Sequence, residues 1–159
     1  MPLTPSILAN LKNRYPQFNF KSGDNFLWSS SDNSIYYNKK SSNQSIFLLH
    51  ELSHALLNHT SYNRDIKLII MEREAWDHTK TLAAEFNVEI SEDIIQSTLD
   101  SYRDWLHSRS TCPKCEATGL QTDNREYTCL SCNYIWQVNE ARTCALKRYQ
   151  IKKPTKKRT

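Results

Sequence analysis

Residues 50–54 read His50-Glu51-Leu52-Ser53-His54, and the chain is apolar on both sides, with Ile46-Phe47-Leu48-Leu49 before and Ala55-Leu56-Leu57 after. This stretch limits the fold more than any other. The two histidines fall on one face if the segment is a helix, and the apolar flanks belong in a core. On an α-helix, side chains four apart lie over one another, so His50 and His54 can reach one metal ion. Glu51 sits beside them rather than under them, placed to accept a proton from an attacking water, as in zinc peptidases. A surface helix whose histidines merely stack does not usually carry apolar residues this densely on both sides.

A catalytic zinc takes three protein ligands and keeps one position open, so a third ligand must come from elsewhere in the chain. His59 follows His50 by nine residues, which on a continuous helix turns it to roughly the opposite side, so it could bind only if the helix broke first. The broken-helix pattern also expects a glycine turn and a histidine one position later, where this chain has Thr60. The segment Met71-Glu72-Arg73-Glu74-Ala75-Trp76 offers two glutamates on a second helix. At about 100° per residue, Glu72 projects with Leu68, Ile69, Ala75, Trp76, Ala83 and Phe86, whereas Glu74 lies roughly 160° away. A carboxylate on an apolar face is costly unless something positive meets it, and a zinc ion would be that partner. Glu72 is therefore the better candidate ligand, with the water-facing Glu74 as the alternative.

The order His50-Glu51-x-x-His54-Ala55-Leu56-Leu57-x-His59, then Glu72-x-Glu74-Ala75, resembles the ImmA/IrrE group of metallopeptidases over residues 20–87. That group pairs HExxH with a glutamate on the next helix, in a pattern like E-x-x-A-N. The resemblance implies the small gluzincin fold shared with SprT-like proteases, peptide-bond hydrolysis, and Glu72 as third ligand. Trp76 stands where the family pattern has Asn or Asp, so a bond steadying a ligand histidine is expected from Asp77 or elsewhere.

Around this helix the sequence predicts an α+β domain over residues 1–110, a small antiparallel sheet packed with about four helices. Thr4-Pro5 makes an N-cap and first helical position, and Ile7, Leu8 and Leu11 repeat at helical spacing until Tyr15-Pro16. Residues 17–21, 25–29 and 34–38 read as short strands rich in Phe, Trp, Tyr and Ile. The HExxH helix can run to Asn58 or His59, a long helix starts near Asn63 to Asp65 and passes Glu85, and a further helix is capped by Ser91 and ends near His107. Arg109 to Thr111 reads as a hinge.

Beyond it, Cys112-Pro113-Lys114-Cys115 and Cys129-Leu130-Ser131-Cys132 have the spacing of a zinc ribbon at 111–150, two knuckles closing one structural four-cysteine site. Tyr127, Tyr134, Ile135 and Trp136 are expected in its strands, and Cys144 as a small buried residue. Residues 1–110 hold 11 Lys/Arg against 13 Asp/Glu, while 111–159 hold 10 against 4. The positive charge thus gathers in the ribbon and in a basic tail at 151–159, expected to be disordered and open to a phosphate backbone or another acidic surface. Met1 to Tyr15 lacks the apolar run of a signal peptide and nothing approaches a membrane span, so a cytoplasmic protein with reduced cysteines is expected.

The expected function is that of a zinc-dependent endopeptidase with one catalytic and one structural Zn2+. Its substrate would be an intracellular protein or peptide, such as a DNA-bound repressor or a DNA-associated protein, engaged as a strand along residues 34–38. SprT-like proteases carry a comparable C-terminal ribbon, which by analogy would serve recruitment. The alternative is a nucleic-acid- or protein-binding adaptor in which the ribbon acts and the HExxH site does no chemistry.

Overall fold

The computed structural model of the chain describes residues 5–140, 142 and 144–152. The Thr4 cap and residues 153–159 of the basic tail lie outside the described residues. The fold is α+β, with four helices and two small sheets among the described residues. The chain divides into two compact units, one of residues 1–61 and 70–97, the other of residues 62–69 and 98–159. No helix among the described residues is long and apolar enough to cross a membrane.

In the first unit, α1 (Pro5–Arg14) ends where the sequence predicts, and its apolar stripe sinks Ile7 and Leu11 into the core. Strands β1 (Asn19–Ser22), β2 (Leu27–Ser29) and β3 (Ser34–Tyr37) form a sheet in the order β1-β3-β2. The sheet is mixed: β3 runs antiparallel to β2, with Leu27 opposite Tyr36, but parallel to β1, with Asn19 opposite Ser34. Because β3 is paired on both sides it has no free edge, and the expectation that a substrate would add along residues 34–38 is corrected here. The edges are β1 and β2. Central placement also explains why Ser34, Ile35 and Tyr37 are all buried.

Helix α2 (Gln44–Leu56) carries the HExxH sequence and is buried on several faces, with Leu48, Leu49 and Leu52 wholly enclosed beside Leu11, Ile35, Tyr37, Leu82 and Ala83. Each such leucine contributes about 1.5–3 kcal/mol of transfer free energy, enough to hold the helix against the sheet despite the polar side chains it also buries. Helix α3 (Asp65–Glu85) follows, its stretch in this unit burying Met71, Glu72, Ala75, Trp76, Thr79, Leu82 and Ala83. Helix α4 (Glu92–Ser110) starts as expected, with Ser91 Oγ accepting the Ile94 N–H at 3.4 Å and Glu92 and Asp93 in the first turn.

The second unit holds the antiparallel sheet β4-β5-β6-β7, made of β4 (Leu120–Asp123), β5 (Glu126–Thr128), β6 (Ile135–Val138) and β7 (Arg148–Gln150). Its core is Cys112, Tyr127, Cys129, Trp136 and Val138. The unit reaches back beyond residues 111–150 because a buried polar network ties it to earlier segments. Arg109 Nε donates to Asp65 Oδ2 at 2.7 Å, Tyr127 Oη donates to the same oxygen at 2.6 Å, and the Asp65 N–H donates to Gln121 Oε1 at 2.7 Å. Arg109 Nη1 donates to the Asn139 carbonyl, and the Arg109 carbonyl accepts Trp136 Nε1–H at 3.0 Å. Burial and the Asp65 carboxylate push the Tyr127 hydroxyl well above its ordinary pKa, so it stays a donor.

Two expectations fail in this unit. Arg109 is not in a hinge but is 2% exposed in the last turn of α4, where its guanidinium is satisfied by Asp65 and Asn139. Cys144 is exposed rather than buried. Gly119 has a definite role: a Cβ there would come within 2.4 Å of the Trp136 ring, which is itself fully buried and stacked on Tyr127. Gly119→Ala is therefore expected to destabilise the unit by about 1–3 kcal/mol through overpacking, seen as a lower denaturation midpoint followed by tryptophan fluorescence.

Candidate metal centres

Helix α2 places His50 and His54 one turn apart, and α3 brings Glu72 to them from its buried face. His50 Nε2 lies 3.1 Å from Glu72 Oε2, His54 Nε2 lies 3.3 Å from Glu72 Oε1, and the two histidine nitrogens are 3.1 Å apart. Tetrahedral zinc ligation at about 2.0–2.1 Å separates its ligand atoms by about 3.3–3.4 Å. The triangle is close to that size, its donors are two imidazoles and a carboxylate, and all three residues are buried, so together they could hold a metal ion.

The charges agree. Burial would raise the Glu72 carboxyl, but hydrogen bonds from His50 and His54 bring it down to about 2. Burial would likewise lower His54, yet the Glu72 carboxylate raises it. Glu72 is thus a buried carboxylate held below the ordinary range by its histidine partners, which meets the demand for a positive neighbour that its place on the apolar face implied. Glu74, the alternative, is not in the triad and is solvent-facing.

Glu51 projects off the ligand face toward the sheet edge. Its Oε2 accepts the main-chain N–H of Trp28 on β2 at 2.7 Å. Burial pushes its carboxyl above the ordinary range, against the opposing pull of His50 and His54. The link from the edge strand to this carboxylate has no signal in the sequence.

The surroundings of the two histidines differ. Trp76 stacks on His50, ring centroids 4.0 Å apart at 24°. His50 Nδ1 and Trp76 Nε1 are both buried without a hydrogen-bond partner, and Asp77, expected to steady a ligand histidine, is exposed. His54 Nδ1 instead meets His59 Nδ1 at 2.9 Å, and His59 Nε2 meets Glu74 Oε2 at 3.2 Å. The helix does break before His59, at Leu56, but the break turns His59 onto the far nitrogen of His54 rather than into the triad. Asn58, a residue that tolerates the left-handed region, was the available signal for this turn.

In the second unit Cys112, Cys115, Cys129 and Cys132 converge on one point, with Cys112 Sγ 3.7 Å from Cys132 Sγ and Cys115 Sγ 3.5 Å from Cys129 Sγ. Zinc–sulfur bonds of about 2.3 Å in a tetrahedron place sulfurs about 3.8 Å apart, so this set too could hold a metal ion. Main-chain N–H donation from Cys132 helps bring the Cys129 thiol down to about 7, easing its conversion to a thiolate ligand. Glu116 and Asn133 follow the second cysteine of each knuckle with φ of 63° and 59°.

Compared with protein-family models, curated proteins and solved structures, the chain matches none.

Proposed function

We propose that this protein is a zinc-dependent endopeptidase of the ImmA/IrrE kind, with a structural zinc in its C-terminal ribbon. The observation that carries this reading is the meeting of His50 Nε2, His54 Nε2 and the Glu72 carboxylate within 3.3 Å beside a second glutamate, Glu51, that is left out of the set. Zinc bound there would supply a Lewis acid that polarises a scissile carbonyl and makes a water more acidic. Glu51 takes the proton of the attacking water and returns it to the leaving amine, roles suited to a carboxyl raised by burial. An extended peptide would add along the edge strand β2, whose Trp28 N–H already reaches Glu51. The substrate would be a protein inside the cell, and the positively charged residues of 111–159 would favour one associated with DNA.

A second reading, a binding adaptor that acts through the ribbon, draws support from Leu130, which is 74% exposed between the cysteines of the second knuckle. Metal content tests the shared premise. Wild type purified without added zinc should carry two zinc ions by mass spectrometry, His54→Ala should lose one and Cys129→Ser the other. A single zinc in wild type, insensitive to His54→Ala, would remove the peptidase reading and leave the adaptor.

A further inference from the structure

His50 and His54 are supported unequally, and the difference assigns a role to a residue outside the triad. We propose that His59 is a positioning residue of the His-Glu metal centre: it accepts the hydrogen bond of His54 Nδ1–H and is itself fixed by Glu74, so that His54 Nε2 is left bare and aimed at the ion. This rests on the reading that His50, His54 and Glu72 hold zinc.

A neutral imidazole carries one proton, and the nitrogen that binds a metal must be the other one. His54 Nε2 faces Glu72 and His50, so a ligating His54 keeps its proton on Nδ1. There it meets His59 Nδ1 at 2.9 Å, which must then present a lone pair, and a neutral His59 carries its own proton on Nε2. That nitrogen meets the Glu74 carboxylate, an acceptor, at 3.2 Å. Each donor finds an acceptor along the whole chain. In the reverse direction His59 Nδ1 would donate, His59 Nε2 would be bare opposite a carboxylate, and His54 would be protonated on the nitrogen that has to bind. Glu74 therefore sets the direction from two residues away.

The backbone is built to hold this arrangement. Asn58 at φ 55° turns the chain back after α2, and the His59 N–H closes on the His54 carbonyl at 2.9 Å. Trp28 Nε1 donates to the His59 carbonyl at 3.0 Å. His59 is thus fixed through both ring nitrogens, its N–H and its carbonyl. Its side chain is 9% exposed, whereas that of Glu74 is 57% exposed, so the chain of bonds runs from the buried centre to solvent. His50 has no such bond at Nδ1 and is steadied by the Trp76 ring.

The test uses the full chain with His59→Leu, His59→Gln and Glu74→Gln. Zinc affinity is measured by competition with a chromophoric chelator, the four-cysteine zinc serving as internal reference. In parallel, the His54 Nδ1 proton is followed by NMR in zinc-loaded, 15N-histidine-labelled protein. His59→Leu should weaken zinc at the triad by about 10- to 100-fold, the usual cost of losing a ligand's outer partner, and should abolish the slowly exchanging His54 Nδ1 proton. Glutamine can accept from His54 and donate to Glu74, so His59→Gln should recover most of the affinity and the proton signal. Glu74→Gln should weaken zinc less than His59→Leu does.

Unchanged affinity in His59→Leu, or equal losses in His59→Leu and His59→Gln, would overturn the positioning role in favour of packing alone. Should His59→Leu fail to fold, wild type decides: a His54 Nδ1 proton coupled across its hydrogen bond to His59 Nδ1 supports the role, and its absence overturns it. Wild type that binds no zinc at the triad overturns the metal reading and this role with it. That result is distinguishable because His54→Ala would then leave the zinc content unchanged.

Discussion

Glu51→Gln is expected, on the zinc-peptidase reading proposed above, to leave both metal centres filled and to lower peptide hydrolysis by about 100- to 10,000-fold, the range that a positioned general base supplies. Glu51 is outside the ligand set, so the ion should stay with His50, His54 and Glu72. The substitution also preserves the local structure, because a glutamine oxygen can accept the Trp28 N–H that Glu51 Oε2 now holds at 2.7 Å. Only basicity is removed. The loss should therefore fall on kcat with KM little changed, which separates it from damage to substrate binding. New peptide termini appearing in a peptide library, counted by mass spectrometry alongside zinc content, give both readings from one preparation. Equal cleavage by wild type and variant would sink the peptidase mechanism, and no cleavage by either would favour the adaptor. Glu72→Gln is the useful contrast, since it should lose the metal together with any activity.

Much of this centre could be read from the sequence, for reasons that differ by residue. His50 and His54 are one turn apart within a single helix, so local periodicity fixes their relation. Glu72 is distant in sequence, but its place on the apolar face of α3 marked it as a buried carboxylate needing a positive partner, and it is the glutamate that meets the histidines. Periodicity does not carry through a turn. The position of His59 depends on Asn58 taking a left-handed conformation, and its pairing with Glu74 depends on how α3 lies beside α2. Strand order was hidden for the same kind of reason. Residues 34–38 read correctly as a strand, but only long-range pairing reveals that β3 is central and parallel to β1. Arg109 misled because arginine is rarely fully buried, and nothing near it in sequence announces the Asp65 carboxylate that receives it.

Removing the second knuckle with Cys129→Ser/Cys132→Ser should unfold β4–β7 while leaving α2 protected, as read by hydrogen exchange of individual amides. The hydrophobic cluster around this sheet has five buried residues among those described, Cys112, Tyr127, Cys129, Trp136 and Val138, and two of these belong to the four-cysteine set that could hold a metal ion. So small a core does not offset the conformational entropy of ordering four short strands, about 1–2 kcal/mol per residue for the backbone alone. Structural zinc in small modules supplies about 10–16 kcal/mol of apparent binding free energy near neutral pH, and that binding is what folds them. The competing support is the network of Asp65, Arg109, Tyr127 and Gln121. Its charged members, Asp65 and Arg109, are taken out of water, and their attraction does little more than repay their desolvation, so the network fixes which groups meet more than it supplies stability. On this balance the amides of Tyr127 and Trp136 should exchange as in an unfolded chain once the knuckle is gone. If they stay protected, the buried ion pair and the Tyr127–Trp136 stack hold the sheet without metal, and the four cysteines serve a purpose other than folding.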